Sequence, residues 1–260
     1  PNAYTYAPAI VTAFQAATAT KVAYYVLVRF VFSVFGTELA FESMRLETVL
    51  MPLALAAMFA GSFVAIFQDD IKRMLAYSSV AQIGYMVLGL SFVSVAGLTG
   101  GLVHLFNHGI MKSGLFLVMA AVVLRTGSSR LGDMAGLGRR MPLTMAAFVV
   151  AGLSMIGVPL TVGFVSKWYL VMAALEAGLW PVAVLILLSS LLALIYIWRV
   201  VEVAYFREPA DQADEVREAP ASLLIPTWVL VGATVFFGVF TNLSVGTAWA
   251  AAEMLLGVSL

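Results

Sequence analysis

The chain has 260 residues, 62% of them hydrophobic and 11% charged, no cysteine and a mean hydropathy of +1.01. That apolar share is far above a soluble domain's and marks a polytopic membrane protein. A formal net charge of zero, with 14 scattered Lys and Arg, argues against a nucleic-acid surface; the lack of cysteine excludes disulfides, thiolate metal sites and a cysteine nucleophile.

Pro1 opens the sequence without a charged n-region and apolar h-region, and residues 2–8 look like a connection entering a helix. The expectation is a piece of a longer protein, with at least one membrane element upstream. A first span is predicted over 9–35, with Pro8 suited to its start, Gly36 to its end and Lys21 near its middle. Glu38, Glu42, Arg45 and Glu47 mark a polar loop before a second span, 48–67. Gln68-Asp69-Asp70-Ile71-Lys72-Arg73 follows as a solvated junction, in which Asp69 or Asp70 is expected to pair with Lys72, Arg73 or a neighbouring subunit.

A third span is predicted over 75–95 and a fourth over 98–124, joined at Gly97, Gly100 and Gly101. After an arginine-rich exit (Arg125, Arg130, Arg139, Arg140), a fifth span over 142–175 begins at Met141-Pro142 and is broken near Gly157-Val158-Pro159. Freed backbone at such a break is costly in lipid and is expected to line a hydrated cavity. The sixth span, 180–206, is longer than a bilayer core requires and so is tilted or projects beyond it. The loop 208–221, with Asp211, Asp214, Glu215 and Glu218 against Arg217, has no catalytic spacing; a seventh span, 223–243, and a mildly amphipathic tail complete the chain. The predicted fold class is an all-α polytopic membrane protein of about seven transmembrane helices, one discontinuous, in a single transmembrane domain over 1–260. Lys and Arg concentrate in 68–77, 125–141 and 199–222, whereas the opposite side has Arg45 and Arg29. By the positive-inside rule the chain starts on the cytoplasmic side of the cell's inner membrane and ends outside.

Three ionisable side chains interrupt the fourth span: His104, His108 and Lys112. Steps of four residues keep them on one helical face, spread over roughly 12 Å of axis. Of the four lysines, Lys21, Lys112 and Lys167 each lie in a different apolar span, and Lys72 is expected in a loop. A cation at mid-span costs about 2.5–3.5 kcal/mol on insertion scales, so three unpaired ones cost on the order of 8–10 kcal/mol. Snorkelling towards an interface accounts for the lysines singly, and hydrogen bonding between helices accounts for the histidines. A metal pair at His104-x-x-x-His108 is disfavoured, because no glutamate lies between them, no carboxylate follows nearby, and Lys112 one turn on repels a divalent cation. A proton path explains lysines and histidines together, since both types can release and regain protons when suitably buried. Lys112 is expected to relay beside His108, and Lys167, on the far side of the break, to perform the exit step.

The run DDIKRMLAYSSVAQIGYM resembles a signature of the antiporter-like membrane subunits shared by respiratory complex I and Mrp-type cation/proton antiporters. HLFNHGIMKSGLF, RRMPLT and GFVSKW are similar to further signatures, in the expected order, and PNAYTYAPA with ATATKVAYYVLVRF is most like the D-type member of the Mrp antiporters. The resemblance implies a 14-helix parent of two inverted five-helix repeats, of which this chain holds the C-terminal half. It also implies a hydrophilic axis of Lys21, His104, His108, Lys112 and Lys167. The implied partners are other membrane subunits, protons, a monovalent cation (sodium or potassium) and the lipid bilayer, with no redox cofactor, no metal and no nucleic acid. The function so implied is that of a proton-translocating subunit of a Mrp-type antiporter; the alternative is an antiporter-like subunit of complex I or a related membrane hydrogenase, not an enzyme by itself.

Overall fold

The computed structural model describes residues 1–208 and 216–258, which contain α-helices and short 3-10 and π turns. The expected acidic side chains Asp211, Asp214 and Glu215 lie outside the described residues. The helices are α1 (Asn2–Tyr6), α2 (Ala9–Arg29), α3 (Glu47–Ile66), α4 (Ile71–Ser91), α5 (Val95–Thr126), α6 (Leu137–Arg140), α7 (Pro142–Ile156), α8 (Val162–Glu176), α9 (Trp180–Phe206), α10 (Ala221–Val239) and α11 (Asn242–Leu256). Among the described residues, six helical segments are long and apolar enough to cross a membrane, and Pro142–Ile156 is a shorter apolar helix.

Local chemistry sets the ends. Asp70 caps α4 by accepting from the Arg73 N–H at 2.9 Å, and Ser94 caps α5 by accepting from the Gly97 N–H at 3.1 Å. Pro142 stands in the first turn of α7, where a missing N–H costs nothing. Several boundaries differ from expectation: the third span runs Ile71–Ser91 rather than 75–95, and the seventh ends at Val239 rather than 243, with the tail forming α11. The first span is regular only to Arg29, then widens into π turns at Phe30–Phe35 and Glu38–Ser43 on either side of Gly36. Lys72 is not in a loop: Asp70 starts the helix two residues earlier, so Lys72 is buried in the first turn of α4 and donates to the Ala7 carbonyl at 2.6 Å.

The acidic junction also differs in its pairing. Asp70 uses its carboxylate on the Arg73 main chain and the Ser129 hydroxyl, while Asp69 pairs with Arg199 at 3.5 Å. Main-chain bonds from Ile71 N–H to Ser129 O and from Leu131 N–H to Asp69 O tie this junction to the arginine-rich segment after α5. Arg125 donates to the Glu218 carbonyl, and the Glu218 carboxylate accepts from the Leu143 N–H at 2.7 Å and the Thr144 hydroxyl at 2.5 Å. The basic segments therefore gather at one end of the bundle.

Helix α5 is the axle, packed against α2, α4, α7, α8, α10 and α11. Apolar surface gives helices little reason to associate inside lipid, so small residues and polar bonds must do it. A Cβ added at Gly89 would stand 2.6 Å from Gly97 O and 2.8 Å from Gly101 N, so α4 and α5 approach backbone to backbone. The outward faces carry large exposed side chains, among them Leu191, Leu194 and Trp198 on α9 and Ile225, Val229 and Phe236 on α10. This is the reverse of a soluble domain and suits contact with acyl chains.

Candidate functional site

Lys21, His104, His108, Lys112 and Lys167 are all buried, with His104, His108 and Lys112 fully so. Their partners come from neighbouring helices. The His104 and His108 rings stack 6.1 Å apart at an interplanar angle of 9°, as the four-residue spacing on α5 requires. His104 Nε2 lies 3.0 Å from Gln82 Oε1 and Nδ1 lies 2.8 Å from Ser166 Oγ, which bridges α5 to α4 and α8. Among the described residues, His108 has no hydrogen-bond partner on either ring nitrogen.

Lys112 reaches α4 rather than His108: its Nζ donates to Leu75 O at 2.6 Å and to Ser78 Oγ at 2.5 Å. Lys21 donates to Ala16 O on its own helix and is within electrostatic reach of His108 and Lys112. Lys167 folds back over the helix break, donating to Met155 O at 3.1 Å, Ile156 O at 2.7 Å and Ser190 Oγ at 2.9 Å, with Nζ 4.8 Å from the Tyr85 ring centroid. Main-chain polar groups at the break are therefore met by side chains, including Asn107 Nδ2, which donates to Val162 O at 2.7 Å.

The described ion pairs are Arg45–Glu47, Arg199–Asp69 and Arg207–Glu202, all at the surface. Among the described residues no carboxylate pairs with Lys21, Lys112 or Lys167, whose hydrogen bonds go to carbonyls and hydroxyls. Hydroxyl and carbonyl partners hold an ammonium without fixing its charge as firmly as an adjacent carboxylate does. Such an arrangement can hold a proton and let it go.

Sequence reading misses the other half of the line. Ser78, Gln82 and Tyr85 repeat at four and three residues along α4 and so share a face. Ser189, Ser190 and Tyr196 on α9 approach that face: Tyr85 OH lies 3.5 Å from Ser190 Oγ, and the fully buried Tyr196 hydroxyl, turned towards Ser78 and Gln82, closes no direct bond. A buried hydroxyl without a direct partner costs about 1–3 kcal/mol unless water meets it, so this pocket of polar atoms is suited to hydration.

A helical membrane bundle threaded by buried, unneutralised lysine and histidine defines a class: the antiporter-like membrane subunits. The chain belongs to the NADH:quinone oxidoreductase/Mrp antiporter transmembrane family, which it matches over residues 1–193. It is 46% identical over 254 residues to NADH-quinone oxidoreductase subunit N of Desulforudis audaxviator (strain MP104C), covering 93% of this chain and 50% of that protein. In three dimensions it is similar to a chain of the Mrp complex from Dietzia sp. DQ12-45-1b, with a TM-score of 0.88 and 27% identity, covering 98% of this chain and 55% of that one. It is also similar to a chain of respiratory complex I from Thermus thermophilus, with a TM-score of 0.82 and 26% identity, covering 96% and 52%. The chain spans about half the length of the relatives it matches. The finer likeness to the D-type Mrp member is not supported: the 46%-identical relative is a subunit N.

Proposed function

We propose that this chain moves protons as an antiporter-like membrane subunit of an NADH-quinone oxidoreductase-type complex, beside other membrane subunits. The observation that carries the reading is the buried line Lys112–His108–His104–Lys167, with Lys21 beside His108 and Lys112, held without a carboxylate partner among the described residues. The 46% identity to a subunit N favours this complex over an antiporter. In this reading Lys112 and His104 are relay groups in the bundle interior, and Lys167 takes the step at the helix break. The basic end of the bundle faces the cytoplasm, by the charge asymmetry of its segments. Redox chemistry belongs to other subunits.

The second reading is a subunit of a monovalent cation/proton antiporter, favoured by the TM-score of 0.88 against a chain of the Mrp complex. One experiment separates them. The native complex is purified through a tag on this chain and assayed for NADH-driven quinone reduction, and, after reconstitution, for sodium- or potassium-driven proton movement. Quinone reduction coupled to proton translocation, lost in translocation alone on Lys112→Met, supports the first reading. Cation-driven proton movement without quinone reduction replaces it with the second, and normal translocation by Lys112→Met ends both.

A further inference from the structure

Three of the buried titratable groups share a feature that neither spacing nor family likeness announces. Each contacts one serine hydroxyl, and each of those serines has a second acceptor on its own helix. Lys112 Nζ donates to Ser78 Oγ, and Ser78 Oγ is 2.9 Å from Leu75 O, three residues back. His104 Nδ1 is 2.8 Å from Ser166 Oγ, which is 3.2 Å from Gly163 O, again three back. Lys167 Nζ donates to Ser190 Oγ, which is 3.2 Å from Ile186 O, four back. Back-bonding alone is ordinary for a helical serine, as Ser91 shows by donating to Leu88 O at 2.8 Å. What sets the three apart is the titratable nitrogen on the other side of the hydroxyl.

A hydroxyl has one rotatable hydrogen and two lone pairs. When the neighbouring nitrogen is protonated it donates to the serine oxygen, and the serine hydrogen turns to the helix carbonyl. When the nitrogen is neutral its lone pair accepts the serine hydrogen, and the carbonyl keeps its helical bond. The contact with the serine is then made in both charge states, and changing between them takes a hydroxyl rotation rather than a movement of helices. For His104 the assignment closes on the other side as well: Gln82 Oε1 can only accept, so Nε2 carries a hydrogen throughout and Nδ1 is the nitrogen that gains and loses the proton. Neither Lys21, bonded to Ala16 O, nor His108, with both nitrogens unpaired, is matched to such a serine.

We propose that Ser78, Ser166 and Ser190 are positioning residues that let Lys112, His104 and Lys167 hold or release a proton without losing the hydrogen bond to their serine. No atom is consumed: the proton that leaves one nitrogen reaches the next through hydroxyls and water, and each serine is a neutral hydroxyl before and after. The inference rests on the proton-translocation reading above, and its test is kept separate from that reading's.

The complete membrane complex, carrying Ser78→Ala or Ser166→Ala, is assayed for proton translocation across pH, with assembly measured in parallel. Losing one hydrogen bond to a charged group predicts translocation slowed about tenfold or more, with a displaced pH profile and normal assembly. Ser190 is only half-buried, and Ser190→Thr, which keeps the rotatable hydroxyl, should stay within about twofold of the native rate while Ser190→Ala slows. If an alanine variant fails to assemble, Ser→Cys at that position, nearly isosteric but a weak hydrogen-bond partner, must be slow in its place. Native rates and an unchanged pH profile in the alanine or cysteine variants overturn the inference. If Lys112→Met stops translocation while the serine variants do not, the translocation reading stands and the serine role falls. If Lys112→Met translocates normally, both fall.

Discussion

Lys112 and Lys167 bind the same kinds of partner, main-chain carbonyls plus one serine hydroxyl, yet the carbonyls differ in what happens without the lysine. Leu75 O lies inside the regular helix α4 and also accepts from the hydroxyls of Ser78 and Ser79. It is well supplied with donors. Met155 O and Ile156 O belong to the last turn of α7, where Gly157 turns left-handed at φ 94°. There the Gly157 and Val158 N–H groups go back to Leu153 and Ser154, and Pro159 has none to give. The Lys167 ammonium completes the end of a helix; the Lys112 ammonium is an addition to one already complete. A buried cation can thus be tied to the fold or nearly independent of it, and the two lysines of one line illustrate both cases.

That contrast orders the expected effects. Lys167→Met should have the largest: translocation stops, and the Met155 and Ile156 carbonyls lose their donor, the buried one at about 1–3 kcal/mol, visible as earlier heat inactivation and faster proteolysis near the break. Lys112→Met should match it in lost translocation but leave assembly and thermal behaviour close to native, because α4 keeps its bonds. Equal destabilisation by the two variants would break the comparison. Next comes Asp70→Ala, which removes a helix cap and the acceptor of Ser129. It should lower stability by about 0.5–2 kcal/mol, read by denaturation of the detergent-solubilised complex, with translocation retained.

The lysine and histidine line stands out in the sequence because a charge inside an apolar run contradicts its surroundings, and a spacing of four names a helical face without any knowledge of its neighbours. The break is legible for a similar reason: glycine and proline together at 157–159 deny a helix both its geometry and its donors. The serines, Gln82 and Tyr196 are not legible, since small uncharged polar residues barely disturb hydropathy and their meaning lies in which helix they face. Only the repeat Ser78, Gln82, Tyr85 hints at a shared stripe. Lys72 misleads for the opposite reason. The run Asp69 to Arg73 is polar enough to read as solvent, but Asp70 is a favoured helix-capping residue that starts the helix early and carries Lys72 inward. Lys72 is held by the Ala7 carbonyl, a contact between segments 65 residues apart that no local pattern discloses.

The smallest expected effect tests the other end of the scale, a charge neither buried nor needed. Asp69 is 89% exposed at its side chain and meets Arg199 at 3.5 Å, while Arg199 is already held by the main-chain carbonyls of Ile66 and Gln68. The carboxylate therefore does not position the guanidinium. Exposed pairs contribute at most about 1 kcal/mol, less once salt screens them, and this one lacks the two-pronged geometry that would raise it. The junction keeps its shape through main-chain bonds, Leu131 N–H to Asp69 O at 2.7 Å and Ile71 N–H to Ser129 O at 2.8 Å, which a side-chain change leaves alone. Asp69→Asn should accordingly leave assembly, thermal behaviour and translocation indistinguishable from native at physiological ionic strength. Its neighbour Asp70, one residue on but turned into the helix end, should not be so forgiving. Loss of translocation by Asp69→Asn in a normally assembled complex would mean that this exposed carboxylate handles protons or meets another subunit, and that exposure was the wrong guide at this end of the bundle.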